Sequence, residues 1–174
     1  MAVFVLALHL VILCPPGLQG SGKAAPVPGL PGAYVIIDAA SDDINKAIET
    51  TVAKVNFILR PVARGRLRST NAQYRKIVIS STETEISFTF DQLQAIKSPL
   101  DGTFVNWTRE DGEKLKVSTT WTNGKLVQRV KAADGQRVNT FNLRPDGHTM
   151  TMRVVVAGPR IPEPLTYTLV YKRL

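Results

Sequence analysis

The sequence is poor in the residues that carry most enzymatic chemistry. It holds one cysteine, Cys14, and two histidines, His9 and His148. Zinc sites draw on several Cys and His ligands, and a serine or thiol nucleophile needs a placed imidazole. Cys14 and His9 both lie in an apolar N-terminal run that reads as a removable leader, which leaves His148 beside a turn as the only remaining imidazole. Thiol chemistry, a histidine-bound metal and a triad are thereby excluded, and no cofactor is expected. No glycine-rich phosphate loop occurs. Glu110, Asp111 and Glu113 cluster, but around an Asp-Gly pair whose turn chemistry accounts for Asp111. The longest apolar run, "VFVLALHLVILC" (Val3 to Cys14), is shorter than the roughly 20 residues of a membrane-spanning helix.

That run suits a signal-peptide core, with residues 1–20 as the leader and small residues following Gly20. The positive residue that usually precedes such a core is missing. "VILC" has the form of a bacterial lipobox ending at Cys14, but Leu13 stands where that motif takes a small residue, which argues against a lipid anchor. The expected location is therefore periplasmic or extracellular. Residues 21–32, "SGKAAPVPGLPG", read as a flexible linker, and 33–174 as one folded domain.

The net charge of +8 is uneven. No acidic residue occurs between Thr50 and Thr82, where Lys54, Arg60, Arg64, Arg66, Arg68, Arg75 and Lys76 supply seven of those charges. Such a run suits a solvated face or an anionic surface. Nucleic acid is not an expected partner, because the strands lack a basic-aromatic stacking face.

Ile44, Ile48, Val52, Val55 and Leu59 recur at helical spacing, so an amphipathic helix is expected over 42–60. Ser41, Asp42 and Asp43 stand at its start and Pro61 ends or kinks it. "VARGRLRST" offers a second helical piece broken by Gly65. From Tyr74 onward the period changes to two. Asp111-Gly112, Asn123-Gly124, Asp134-Gly135 and Asp146-Gly147 punctuate the strands at spacings of 12, 11 and 12 residues. Asx-Gly is the pair that type I′ hairpins prefer. Each strand has one apolar and one polar face, such as Met150, Met152, Val154 and Val156 against Thr and Arg. The expected fold is mainly β: an antiparallel up-and-down β-barrel of about eight to ten strands with an N-terminal amphipathic helix, since closure removes the exposed edges.

This order is similar to the calycin group of lipocalins and intracellular fatty-acid-binding proteins. "AYVIID", the 42–68 helical segment and "YRKIVISSTETEISFTFD" follow the strand, two-helix and barrel sequence of the latter. "LTYTLVYKRL" resembles their closing strand, with Tyr171 at the position of a ligand-facing tyrosine. The resemblance implies a helical lid over the barrel mouth, placing Arg60, Arg64, Arg66 and Arg68 toward an acidic head group or an anionic membrane surface. The family's two clamp arginines are replaced by Leu169 and Asn142. The family pattern turns Asn142 inward, whereas local alternation turns Phe141 and Leu143 inward. The Gly-x-Trp signature of typical lipocalins is absent. "NFILRPVARGRL" and "NWTREDGEKLKV" also resemble stretches of exported bacterial proteins of unassigned function.

The expected function is binding of an apolar or amphipathic, lipid-like small molecule by a monomeric exported barrel. Phe88, Phe90, Trp107, Trp121, Met150, Met152, Tyr167 and Tyr171 are the expected ligand-facing residues. The same large side chains suit a filled barrel serving as a structural or interaction module of the cell envelope. An enzyme is the third reading.

Overall fold

The alternation that begins after Tyr74 becomes nine strands, and one more precedes the helices. The computed structural model describes residues 29–174. Its elements are β1 (Gly32–Ile36), α1 (Ile44–Val52), α2 (Arg60–Thr70), β2 (Lys76–Ser81), β3 (Glu85–Phe90), β4 (Ile96–Pro99) and β5 (Val105–Thr108), then β6 (Lys114–Thr122), β7 (Lys125–Ala132), β8 (Gly135–Leu143), β9 (Thr149–Ala157) and β10 (Leu165–Arg173). The expected leader and most of the expected linker lie outside the described residues.

All ten strands join one antiparallel sheet in the order β4-β3-β2-β1-β10-β9-β8-β7-β6-β5. The first strand pairs with the last, Tyr34 opposite Arg173 and Ile36 opposite Tyr171. The two sheet ends then approach each other. Asp101 bridges Thr120, the Gly102 amide donates to the Thr119 carbonyl at 3.0 Å, and the Ser98 and Thr119 hydroxyls lie 2.6 Å apart. Gly102 has φ +87°, and a Cβ there would meet Thr120 Cγ2 at 2.8 Å, so this seam requires glycine. The barrel is nearly closed, with β4 as a short strand that its "IKSP" sequence signals weakly.

The single helix expected over 42–60 is two helices. α1 stops at Val52, and Asn56 organises the turn: its carbonyl accepts from the Leu59 and Arg60 amides, and its side chain from Ile58 N at 3.0 Å. Arg60 donates back to the Val55 and Ala53 carbonyls at 2.9 and 2.8 Å, satisfying the end of α1. Pro61 therefore opens α2 instead of ending a helix, at a position where its missing N–H is not needed. Gly65 does not break α2. Asp43 caps α1 through Lys46 N, while Asp42 and Ser41 accept from the Thr168 and Val170 amides and fasten the helix start to β10. Ile44, Ile48, Val52 and Val55 are buried, but Leu59 stays 52% exposed.

The turns also differ from expectation. Only Asn123-Gly124 has both residues at positive φ, at 52° and 72°. At Asp111-Gly112 and Asp146-Gly147 the glycine alone is left-handed, and at Asp134-Gly135 neither residue is. Asp111 and Asp146 act instead by accepting backbone amides, Asp111 from Glu113 at 3.2 Å and Asp146 from His148 and Thr149 at 2.8 and 2.7 Å, while Asp134 meets Arg66.

Inside the barrel, local alternation decides the β8 register. Phe141 is fully buried opposite Met152, and Asn142 falls on the other face. Phe141 stacks on Phe88 of β3 with ring centroids 5.1 Å apart. Four strands separate β3 from β8 in the sheet, so this contact crosses the lumen and fills it.

Phe141→Ala should lower the unfolding free energy by about 3–5 kcal/mol in urea titrations; a loss below about 1 kcal/mol would mean the rings do not fill the barrel. The hydrogen bonds from Thr149 and the His148 amide hold the Asp146 carboxyl down to about 2, against an ordinary value of 3.8. A depressed carboxyl stabilises the fold above the unfolded value and ceases to as pH falls through the folded one. Wild type should thus lose more stability than Asp146→Asn as pH falls from 3.8 to about 2, read by thermal melting.

Candidate functional site

The site is built from one apolar face of α2 and the barrel rim beneath it. Leu59, Val62, Ala63 and Leu67 follow helical spacing, and of these only Leu67 is buried. Facing them are Leu115 of β6, Val130 of β7, Val156 of β9 and Ile161 of the β9–β10 loop. They line a half-open chamber of about 330 Å³ at the barrel end. Mostly apolar walls with a few polar groups are the general character of small-molecule sites.

Ion pairs fasten the helices over this chamber. Arg66 reaches Asp134 in the β7–β8 turn at 2.8 Å and Glu113 beside the β5–β6 turn at 4.0 Å. Glu113 also pairs with Arg109 at 2.8 Å, and Lys54 pairs with Glu163. On the far side of α2, Arg64 and Arg68 both turn to Glu49 of α1, whose carboxyl is held below its ordinary range, chiefly by the Arg64 hydrogen bond.

Arg137 differs from these. It is half-buried in the chamber wall, and among the described residues no carboxylate stands within ion-pair distance of it. Neutral acceptors hold it: Asn139 Oδ1 at 2.8 Å, the Thr70 carbonyl at 3.2 Å, Asn71 Oδ1 at 3.3 Å and the Tyr167 hydroxyl oxygen at 3.3 Å. Asn71 closes the set, donating to the Leu67 carbonyl at 2.8 Å and accepting from the Tyr167 hydroxyl at 3.1 Å. Burial raises the pKa of that hydroxyl, while the Arg137 charge pulls the other way. A partly desolvated cation without a counter-ion is electrostatically incomplete, and an anion at the chamber side would complete it.

The residues read as ligand-facing occupy a different place. Phe88, Phe90, Met150, Met152, Tyr167 and Tyr171 form the core, with Trp121 packed against them. Trp107 is half-buried on β5, its ring nitrogen shielded and without a hydrogen-bond partner. None of the eight lines the chamber, although Tyr167 touches its Arg137. Of the four arginines, Arg66 lines the chamber; Arg60 caps α1, and Arg64 and Arg68 pair with Glu49. Arg137 and Asn71 were missed. The signal for Arg137 was present in "QRVNTF", where alternation with inward Phe141 assigns the arginine to the inner face. Among the described residues no group of His, Cys, Asp and Glu is arranged to hold a metal ion.

No protein-family model and no curated protein sequence matches the chain. Solved structures match its fold. A secretory abundant heat soluble protein from Ramazzottius varieornatus superposes with a TM-score of 0.59 at 10% identity, over 84% of this chain and 96% of that one. The REP1-NXSQ fatty acid transporter gives 0.51 at 15% identity, over 83% and 96%. A fatty-acid-binding protein from brain tissue of Drosophila melanogaster gives 0.52 at 14% identity, over 80% and 95%. The fold is thus the barrel of fatty-acid-binding proteins.

Proposed function

We propose that this protein binds a small amphipathic molecule, with its apolar part in the chamber under α2 and an anionic head group on Arg137. The observation that carries this reading is Arg137 in the wall of a mostly apolar chamber, without an ion pair among the described residues. That a fatty acid transporter and a fatty-acid-binding protein share the fold supports it. Export to the periplasm or beyond is part of the proposal and is supported by the apolar run from Val3 to Cys14. A monomeric state is supported by a barrel whose two sheet ends meet each other. Contact with an anionic membrane surface would use the chamber end, where Phe57 and Ile58 are 72% and 68% exposed beside Arg60. A second reading, a filled barrel without ligand, is favoured by the Phe88–Phe141 contact.

Titration calorimetry with decanoate and decanol tests the proposal. Wild type should prefer decanoate, and Arg137→Gln should reduce that preference about tenfold, equivalent to about 1.4 kcal/mol. If neither probe binds and native mass spectrometry finds no co-purifying lipid, the filled-barrel reading replaces this one.

A further inference from the structure

Arg137 is not alone in the chamber wall. Arg66, Arg109 and Arg160 line it as well, with Glu113 and Asp134 as the wall's carboxylates. Two of these arginines are engaged. Arg66 holds Asp134 at 2.8 Å and Glu113 at 4.0 Å. Arg109 holds Glu113 at 2.8 Å and Asp111 beside it. Arg137 and Arg160 make no ion pair among the described residues. The wall therefore presents two guanidinium groups whose charge no protein carboxylate answers.

Arg160 belongs to the β9–β10 loop, "GPRIPEP" (Gly158 to Pro164). Three prolines restrict that stretch, and the Ile161 amide donates to the Gly158 carbonyl at 3.2 Å, closing a turn around Arg160. Glu163, the acid of the same loop, is drawn off by Lys54 of the α1–α2 connection. The loop leaves β9 beside Arg137: Val156 is opposite Arg137 and Ala157 opposite Gln136. The backbones are pressed together there, for a Cβ on Gly158 would meet the Asp134 carbonyl oxygen at 2.9 Å. Arg160 is thus presented from a restricted loop next to the strand end that carries Arg137, and both side chains line the same 330 Å³ space.

We propose that the head group is doubly charged, a phosphate monoester held between Arg137 and Arg160. This rests on the chamber reading above and narrows its ligand class to phosphorylated amphiphiles. A phosphate monoester carries roughly −1.5 to −2 at neutral pH and has three acceptor oxygens. A guanidinium meets two oxygens side by side, so one such head can serve two arginines, whereas a carboxylate brings one charge. Free phosphate offers the same head without the chain, and the test separates the two sources.

The test is calorimetry with decyl phosphate, decyl sulfate, decanoate and inorganic phosphate, the amphiphiles below micelle-forming concentrations. Decyl sulfate has the same tetrahedral head with a single charge. Wild type should bind decyl phosphate about tenfold more tightly than decyl sulfate at about pH 8, and less than about threefold more tightly at about pH 5, where the phosphate keeps one charge. Decyl sulfate does not titrate in this range and reports any change in the protein itself. Arg160→Gln should remove most of the preference. Arg153→Gln makes the same charge change at an exposed site between the inward residues Met152 and Val154 and should keep it. Equal affinities for the two decyl probes on wild type overturn the doubly charged head and leave the chamber standing. So does a preference that Arg160→Gln keeps or that Arg153→Gln also loses, and so does binding of decanoate without decyl phosphate. Inorganic phosphate should bind at least about tenfold more weakly than decyl phosphate, because it leaves the apolar walls uncovered. Equal affinity would make this a free-phosphate site and overturn the phosphorylated amphiphile. Failure of all four probes overturns the chamber reading and this one together.

Discussion

Phe88 and Phe141 come from opposite walls of the barrel and stack 5.1 Å apart across it. Protein interiors pack to crystal-like density, so two rings meeting in this way leave no through-channel at their level. Phe90, Met150, Met152 and Leu169 complete the same filling. The open space is therefore displaced to the barrel end under α2. That displacement makes α2 part of the site, makes its apolar face the roof, and leaves Arg137 at the boundary between solid core and chamber.

The roof is held differently from the walls. The strands are joined by continuous ladders, whereas α2 buries only Leu67. Its other fastenings are the Arg66 ion pairs, the polar junction of Asn71, Tyr167 and Arg137, and the Arg64 and Arg68 pairs with Glu49 of α1. Exposed ion pairs each contribute little, so α2 is held to the barrel less firmly than a strand within the ladder.

The basic run from Lys54 to Lys76 is a lesson in reading charge along a chain. In the fold, Arg64 and Arg68 share Glu49, Arg66 meets Asp134, Arg75 meets Asp38 and Lys54 meets Glu163. The acids come from four other places in the sequence, and only the fold brings them near. Arg137, which sits in no run, is half-buried in the chamber wall with no carboxylate at ion-pair distance among the described residues.

The sequence by itself determined what depends on neighbours a few residues away. The alternation in Met150–Val156 and Leu165–Tyr171 set the strands and their inner faces, the helical spacing from Ile44 to Val55 set the buried side of α1, and the Asx-Gly pairs set the hairpin positions. Periodicity also places Phe141 inward correctly. It was less informative at the chain's irregular joints: the seven residues between Val52 and Arg60 keep a helical apolar pattern, yet Asn56 turns the chain there. Only the tertiary structure decided which inward residues pack on each other and which border empty space. Phe88 and Phe141 are 53 residues apart, and Thr119, Gln128 and Asn139 stand side by side only through strand pairing. Periodicity reports the direction of a side chain, but a cavity is defined by distances between side chains remote in sequence, and no local pattern encodes those.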